Sequence, residues 1–388
     1  MHIILQILLI LFTAKIFGEV FERIGFSSIL GEISAGLFLS SVFFICPENE
    51  HIKFFAKLGV IFLLFISGYK ETDPRELKAA LKKSLFPTIF GIIIPFSFGF
   101  LLGMLFNFEF ITCLFIGVVF TPTSIGVTAR TFMDFGYLSR KASSITLNAS
   151  ILADIMALIM LTIILQINIA PEFSITHILI VGMYVIVFFI IMYIIKKILP
   201  LFFKYIQKMH VKESIFAHVI IVALLSAYLA KIFGLHGSIG AFIGGVIVSS
   251  IPIAKIKDVQ DKVSGISYGI FIPFFFVYIG LSFDFSVIED RGLFIVLFTT
   301  LALLGKIIGG FIGSKIAGFN SYDSLICGIG CMPRAGIGLM IATVGRDVGI
   351  IGMEIFSAII LMVVVSVMAT PLFLKYAINL EKRNDLLQ

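Results

Sequence analysis

Apolar runs long enough to cross a bilayer recur about thirteen times along this chain, and no other feature constrains its fold so tightly. They fall at 2–19, 26–45, 52–69, 85–106, 110–130, 143–168, 174–199, 214–233, 237–253, 263–283, 292–317, 321–345 and 354–377, with short connections between them. Of the 388 residues, 59% are hydrophobic and 13% charged, with a mean hydropathy of +1.12. A soluble domain carries about 25% charged residues, and a soluble core of this length cannot hide so much apolar surface. The chain therefore reads as an all-α polytopic membrane protein. The first run has no basic segment before it and no small-residue cleavage site after it, so it is a span rather than a signal peptide. With 43 Phe, 10 Tyr and no Trp, any aromatic belt at the membrane surface is built from Phe and Tyr.

The net charge of +6 does not point to nucleic acid, because the basic residues fall in the gaps between apolar runs. After odd-numbered spans come Arg23; Lys70, Arg75, Lys78, Lys82, Lys83; Arg130, Arg140, Lys141; Lys196, Lys197, Lys204, Lys208, Lys212; Lys255, Lys257, Lys262; Lys315; and Lys375, Lys382, Arg383. After even-numbered spans come only Lys53, Lys231, Arg291 and Arg346. The bias is roughly five to one, and the positive-inside rule turns it into an orientation: N-terminus outside, C-terminus cytoplasmic, in the cell membrane.

The chain also repeats itself. Gly25 to Ser41 reads GFSSILGEISAGLFLSS, and Gly234 to Ser250 reads GLHGSIGAFIGGVIVSS. The two align without a gap, matching Gly25 with Gly234, Gly31 with Gly240 and Gly36 with Gly245. The segments ending at Gly68 and Gly280 match in turn, as do those ending at Pro122 and Pro333. Spans 1–6 thus pair with spans 8–13. A separation of seven spans is odd, so the two halves are inserted upside down relative to each other, which is a signature of secondary transporters. The expected organisation is a first repeat at 1–169, a linker span with a basic cytosolic segment at 170–212, a second repeat at 213–380 and a short cytosolic tail at 381–388.

Two equivalent spans carry residues that break helices. Span 5 contains Thr121-Pro122-Thr123-Ser124 and then Gly126. Span 12 contains Gly328, Gly330, Pro333, Arg334, Gly336 and Gly338. Proline removes a helical hydrogen bond, and glycine lowers the cost of unwinding. Unwound backbone at membrane depth persists only where it is buried in protein or lines a water-filled cavity. Half-helix ends there offer carbonyls to cations and amides to anions. The alternative is a pair of ordinary kinks.

Ionisable residues at membrane depth are functional candidates by default. Asp154 lies in the middle of span 6, Lys306 in the middle of span 11 and Arg334 at the break of span 12. One carboxylate can hold a proton or a metal cation, and competition for it is all that exchange requires. Asp154 is therefore the expected ligand for both a monovalent cation and H+. Ser150 lies one turn earlier on the same face, and Thr121, Thr123 and Ser124 sit at the span 5 break. All four offer oxygens to a hard monovalent cation. Lys306 and Arg334 are the supporting charges. The bland alternatives are an Asp154–Lys306 ion pair with a purely structural role and hydroxyls that bond back to their own helices. Glu32, Lys15 and Lys57 sit nearer span ends, where snorkelling explains them.

Other patterns carry less. Gly265-Ile266-Ser267-Tyr268-Gly269 fits a nucleophile elbow, but it opens a membrane span rather than a strand-to-helix turn. Gly309 and Gly313 form a close-packing motif. Cys327 and Cys331 share a helix face, yet two thiols without further ligands make a weak metal site. No Walker sequence is present, so no ATP-driven step is expected within this chain. With no convincing nucleophile–base pair or ligand set, an enzyme is not expected, nor a resident cofactor.

Residues 121–161, TPTSIGVTARTFMDFGYLSRKASSITLNASILADIMALIML, resemble spans 5–6 of prokaryotic sodium/proton antiporters in the cation:proton antiporter superfamily, nearest the NapA-like and Kef-like branch. LLGKIIGGFIGSKIAG (303–318) and GIGCMPRAGIGLMIATVG (328–345) resemble spans 11 and 12 of the same family. The resemblance implies thirteen spans in two inverted six-helix repeats, two crossed discontinuous helices, and usually a homodimer. It also implies a moving core of spans 4–6 and 11–13 against a panel of spans 1–3 and 8–10. Asp154 matches the family's cation-binding position. Many relatives carry a second acid or an Asn just before it, where this chain has Ala153. In relatives with two acids, the counterpart of Lys306 pairs with the first, so Lys306 here must pair with Asp154, stay neutral or find another partner. A single carboxylate points to electroneutral one-for-one exchange. Few residues follow span 13, so the nucleotide-binding domain of Kef-type systems is not expected. The competing readings are K+/H+ exchange or Kef-like K+ efflux, and a sodium-coupled solute symporter of the bile-acid type.

Overall fold

In this computed structural model, which describes residues 3–71, 74–138, 140–169 and 175–385, every regular element among those residues is helical. The boundary expected at 169–170 and the end of the tail at 386–388 lie outside the described residues, as do the side chains of Arg75, Lys78, Lys82, Lys83 and Arg383.

Helix α1 (Ile3–Arg23) turns at Gly25, whose φ of +88° is open to glycine at little cost, into α2 (Ser28–Phe43). Helix α3 (Glu50–Ile66) continues into a π-helical turn, Ser67–Glu71. Helix α4 (Pro74–Leu105) contains Pro87 and Pro95. The fifth expected span is two short helices, α5 (Phe110–Val119) and α6 (Ile125–Asp134), and α7 (Lys141–Ile169) follows. Then come α8 (Ile175–Ile206), α9 (Ser214–Ile232) and α10 (Gly237–Ser249). The tenth span is α11 (Lys257–Ile266), a π-helical turn at Ser267–Phe271, and α12 (Ile272–Leu281). Helix α13 (Ser286–Ile316) is kinked at Arg291. The twelfth span is again two short helices, α14 (Ser321–Gly330) and α15 (Gly336–Asp347), before α16 (Met353–Asp385).

By length and composition, nine of these helices can cross a membrane among the described residues. Spans 2 and 9 are the short apolar helices α2 and α10. Each stops ahead of a proline, Pro47 or Pro252, because the residue before proline disfavours the helical region. Several helices run beyond the apolar runs. Helix α4 starts well before 85, α8 continues past 199 through Lys204, and α16 continues through most of the expected tail. Hydropathy finds the part that suits lipid, whereas helical hydrogen bonding continues into water where no breaker intervenes.

The chain forms two compact units that cut across its two halves. The first comprises Met1–Val20, Gly31–Glu76 and Ile169–Ser282, and the second Phe21–Leu30, Leu77–Asn168 and Phe283–Gln388. The second holds α4–α7 and α13–α16, the spans that the resemblance assigned to the core. The first holds α2, α3 and α8–α12 with most of α1, which are the panel spans together with span 7.

Inside the first unit, α3 packs against α10 and α12. The glycines matched in the sequence repeat meet in a crossed pattern. A Cβ added to Gly36 would lie 2.2 Å from the Val277 carbonyl oxygen and 2.8 Å from the Gly280 Cα. A Cβ added to Gly245 would lie 2.2 Å from the Phe65 carbonyl oxygen and 3.1 Å from the Gly68 carbonyl carbon. Since Gly36 matches Gly245 and Gly68 matches Gly280, the same contact is made twice. The second unit repeats a contact too. A Cβ on Gly99 would sit 3.0 Å from the Gly117 Cα, and one on Gly310 would sit 2.7 Å from the Gly328 Cα. The Pro122/Pro333 equivalence maps one pair onto the other. Backbone this close admits no side chain. Gly245→Ala is expected to cost about 1–3 kcal/mol through overpacking, read as a lower apparent melting temperature in detergent; an unchanged melting temperature would mean that α3 and α10 do not approach this closely.

His236 precedes α10, and its ring nitrogen Nδ1 accepts from the Ser238 N–H at 3.4 Å. Burial, with Lys231 and Lys57 nearby, pushes its pKa down to about 4, so the ring stays neutral and keeps accepting at neutral pH.

Candidate functional site

The site lies within the second unit, where the two helix breaks meet. Helix α5 ends at Phe120, and the chain then runs extended through Pro122 to Ser124, which has φ −81° and ψ 101°. Helix α14 ends at Cys331, and α15 begins after Ala335. Both breaks contain a proline, which has no N–H to continue the helix. The breaks bond to each other. Ser124 N–H donates to the Pro333 carbonyl at 2.6 Å, and the Thr128 hydroxyl donates to the Gly330 carbonyl at 2.7 Å. The crossed, discontinuous pair expected from the resemblance is therefore present, stitched through backbone groups that the breaks set free.

Three ionisable side chains are buried at this crossing: Asp154 is 3% exposed, Lys306 1% and Arg334 0%. Asp154, on α7, accepts the Thr123 N–H through Oδ1 at 2.9 Å. This amide stands at the N-terminal end of α6, where the helix dipole favours a negative group. Lys306, on α13, donates Nζ to the Thr121 carbonyl. The partner left open by the sequence is thus, in this bond, a backbone carbonyl at the C-terminal end of α5. Arg334 donates to three further carbonyls: Met332 at 3.1 Å, Phe120 at 2.9 Å and Ala302 at 2.8 Å. Its Nε has no partner, and its guanidinium lies 5.9 Å from the Phe120 ring centroid. Both cations lean on the negative ends of half-helices, while the carboxylate caps a positive end. Each buried charge is thus matched by helix-terminal partial charge.

Of the four hydroxyls expected as oxygen ligands, three donate their protons to the backbone. Thr121 Oγ1 donates to the Val118 carbonyl at 2.8 Å, Ser150 Oγ to the Thr146 carbonyl at 2.8 Å, and Thr123 Oγ1 to the Cys331 carbonyl at 3.2 Å. A hydroxyl that has donated keeps its lone pairs, so its oxygen still suits a hard cation. The Ser124 carbonyl lies 2.9 Å from the Thr128 hydroxyl oxygen and shares its one proton with the Gly330 carbonyl.

Two positions escaped the sequence reading. Ser366, on α16, accepts the Arg334 N–H at 3.1 Å, and Thr128 bridges the two breaks. A signal for Ser366 was available. The Pro122/Pro333 equivalence matches Thr123 with Arg334, and it sets Asp154 beside the position of Ser366. In both repeats the amide after the proline is capped by a side chain from the next span, a carboxylate in one and a neutral hydroxyl in the other.

Outside the spans, the turn between α6 and α7 is tied to the end of α16. The buried Tyr137 hydroxyl donates to the Glu381 carboxylate, and the Arg140 guanidinium lies 5.9 Å from the Tyr137 ring centroid. Burial first, and then the Glu381 carboxylate, push the Tyr137 phenol up, so it remains a donor throughout the physiological range.

Comparison with known proteins extends over the whole of this architecture. A family model described as sodium/hydrogen exchanger, transmembrane, matches residues 8–377. The chain is 32% identical over 372 residues to the Na(+)/H(+)-K(+) antiporter GerN of Bacillus cereus, covering 96% of this chain and 95% of that protein. It is 30% identical over 371 residues to a Na(+)/H(+) antiporter of Enterococcus hirae, covering 95% and 96%. The solved structure of the sodium proton antiporter MjNhaP1 from Methanocaldococcus jannaschii superposes with a TM-score of 0.74 at 18% identity, over 97% of each chain. At that identity the likeness is one of fold.

Proposed function

The chain belongs to the sodium/hydrogen exchanger family, and from that premise we propose that it exchanges a monovalent cation, Na+ in the first place, for H+ at the single carboxylate of Asp154. The observation that carries this reading is the Asp154 carboxylate, 3% exposed and bonded to the amide of a broken helix. A buried carboxylate can hold a proton or a Na+ ion, and competition between the two for it is all that exchange requires. In the cation-loaded state, Asp154 supplies the charge. Ser150, Thr121, Thr123 and Ser124 supply hydroxyl or carbonyl oxygens in place of water. Lys306 and Arg334 hold the half-helix carbonyls in place. Na+ and H+ are cargo, and the chemistry calls for no resident cofactor.

Several finer features belong to the same proposal. The second compact unit moves as the core, carrying Asp154 from one side of the membrane to the other. The N-terminus is outside and the C-terminus cytoplasmic, following the basic bias of the loops. The repeats divide at 1–169 and 213–380 around a linker span, and the protein assembles as a homodimer. K+ is a second candidate cargo, since the Bacillus cereus relative is named a Na(+)/H(+)-K(+) antiporter.

The test is proton efflux from acid-loaded proteoliposomes on adding Na+, Li+ or K+ outside. Na+ is expected to dissipate the pH gradient with saturation. With one carboxylate, exchange is one for one, so the rate at fixed ion gradients is expected to be the same at 0 mV as at an imposed potential of about 100 mV, worth ~2.3 kcal/mol per net charge moved. A turnover that follows the potential would overturn the electroneutral stoichiometry. A pH gradient that no cation dissipates would overturn exchange itself.

A further inference from the structure

Behind Asp154 lies a buried thiol pair that the exchange reading does not use. Cys327 is 1% exposed and Cys331 4%, one turn apart at the end of α14. The two thiols share one buried cluster with Ile145, the Cys331 sulfur near Ser150 and the Cys327 sulfur near Thr146. The Ser314 hydroxyl sits beside the Cys327 sulfur as well, but it is buried and makes no well-formed hydrogen bond. Sulfur and an unsatisfied hydroxyl thus come together where α7, α13 and α14 pack. Among the described residues no group of three or more His, Cys, Asp or Glu could hold a metal ion. That rules out a multidentate site of Zn2+ type there, but it leaves two-coordinate binding, which soft metal ions adopt with thiolates and Na+ does not.

We propose that Cys327 and Cys331 together bind one soft, two-coordinate metal ion, of the mercuric or silver class, and that the bound ion arrests exchange. Each thiol gives its proton to solvent as its sulfur–metal bond forms. A mercuric ion loses two chloride or water ligands in return, and no oxidation state changes. The ion sits against Thr146 and Ser150, two turns and one turn before Asp154 on α7, and fixes the last turn of α14 where it enters the break. The arrest rests on the exchange reading; the metal binding does not.

The probe is mercuric chloride on the full chain carrying Cys46→Ser and Cys113→Ser, so that only the pair remains. Intact-protein mass spectrometry after removal of free metal is expected to find one mercury per chain and both thiols lost to labelling. In proteoliposomes, the half-inhibiting concentration is expected to rise at least about tenfold when Cys327→Ser or Cys331→Ser is added, each compared with its own uninhibited rate, and dithiothreitol should restore exchange. Two mercury ions per chain, or none, would overturn the site, as would equal inhibition in the protein lacking both thiols. The stoichiometry needs no further substitution, so it decides the matter even if a serine variant fails to fold. One mercury per chain in a protein that exchanges no cation would leave the site standing and sink the exchange reading instead.

Discussion

Asp154→Asn is expected to abolish cation-driven proton movement, by at least about a hundredfold, in a protein that still folds. Asparagine has the same shape, and its carbonyl can accept the Thr123 N–H that Asp154 Oδ1 now accepts at 2.9 Å. The cap on α6 therefore survives, while the charge does not. Opposite charges about 4 Å apart are worth roughly 4 kcal/mol at an effective dielectric of 20, close to a thousandfold in affinity. A neutral amide offers a partly dehydrated Na+ no such compensation, and it has no proton to exchange. Proteoliposome flux with a parallel melting curve decides the point. A variant that melts like the wild type and keeps more than a tenth of its turnover would remove Asp154 from the centre of the mechanism. Asp154→Ala should be equally inactive but less stable, because it also leaves the Thr123 amide without this cap.

Arg334→Met is expected to give the largest loss of stability among single substitutions in the second unit. The guanidinium is 0% exposed and donates to the carbonyls of Phe120, Met332 and Ala302, which lie on three different stretches of chain. Methionine fills much of the volume but donates nothing, so acceptors from the α5 end, the α14 break and α13 lose this donor in a dry interior. Removing one side of such a buried charged arrangement costs about 3–5 kcal/mol, which corresponds to a fall of roughly 5–10 °C in apparent melting temperature. Arg334→Lys should fall between the two, since an ammonium reaches fewer of the three carbonyls. If Arg334→Met melts within a degree or two of the wild type, the carbonyls have found other donors and Arg334 does not hold the crossing together.

These two residues, and Lys306 with them, were conspicuous in the sequence because ionisable groups in apolar runs are rare. The breaks were equally legible, since Pro122 and Pro333 interrupt spans that otherwise read as continuous. What the sequence did not reveal is how the charges are satisfied. Lys306 bonds to Thr121 and Arg334 to three carbonyls, and a backbone acceptor leaves no mark in the side-chain pattern. The hydroxyls of Ser150 and Thr121 are candidate ligands by residue type, and each also bonds back to its own helix, the alternative that residue type leaves open. Helix ends were misjudged for a related reason: hydropathy marks where lipid is tolerated, whereas α8 and α16 stay helical well into their charged segments. The compact units could not be read from a repeat alone, because each takes helices from both halves.

The crossed glycine contacts of the first unit bear on where such a chain comes from. Gly36 meets Gly280, and Gly245 meets Gly68, so each half presents the same two surfaces and each contact joins one half to the other. That is the form of an isologous interface, in which two identical subunits bury one patch against its mate. A protein half as long could have made both contacts at once by pairing with an oppositely inserted copy of itself. Fusion into one chain then freed the two copies to differ. The difference that matters stands at the helix breaks, where one ancestral amide now faces the carboxylate of Asp154 and its twin faces the hydroxyl of Ser366. Ion chemistry could become asymmetric there while the scaffold around it kept its symmetry.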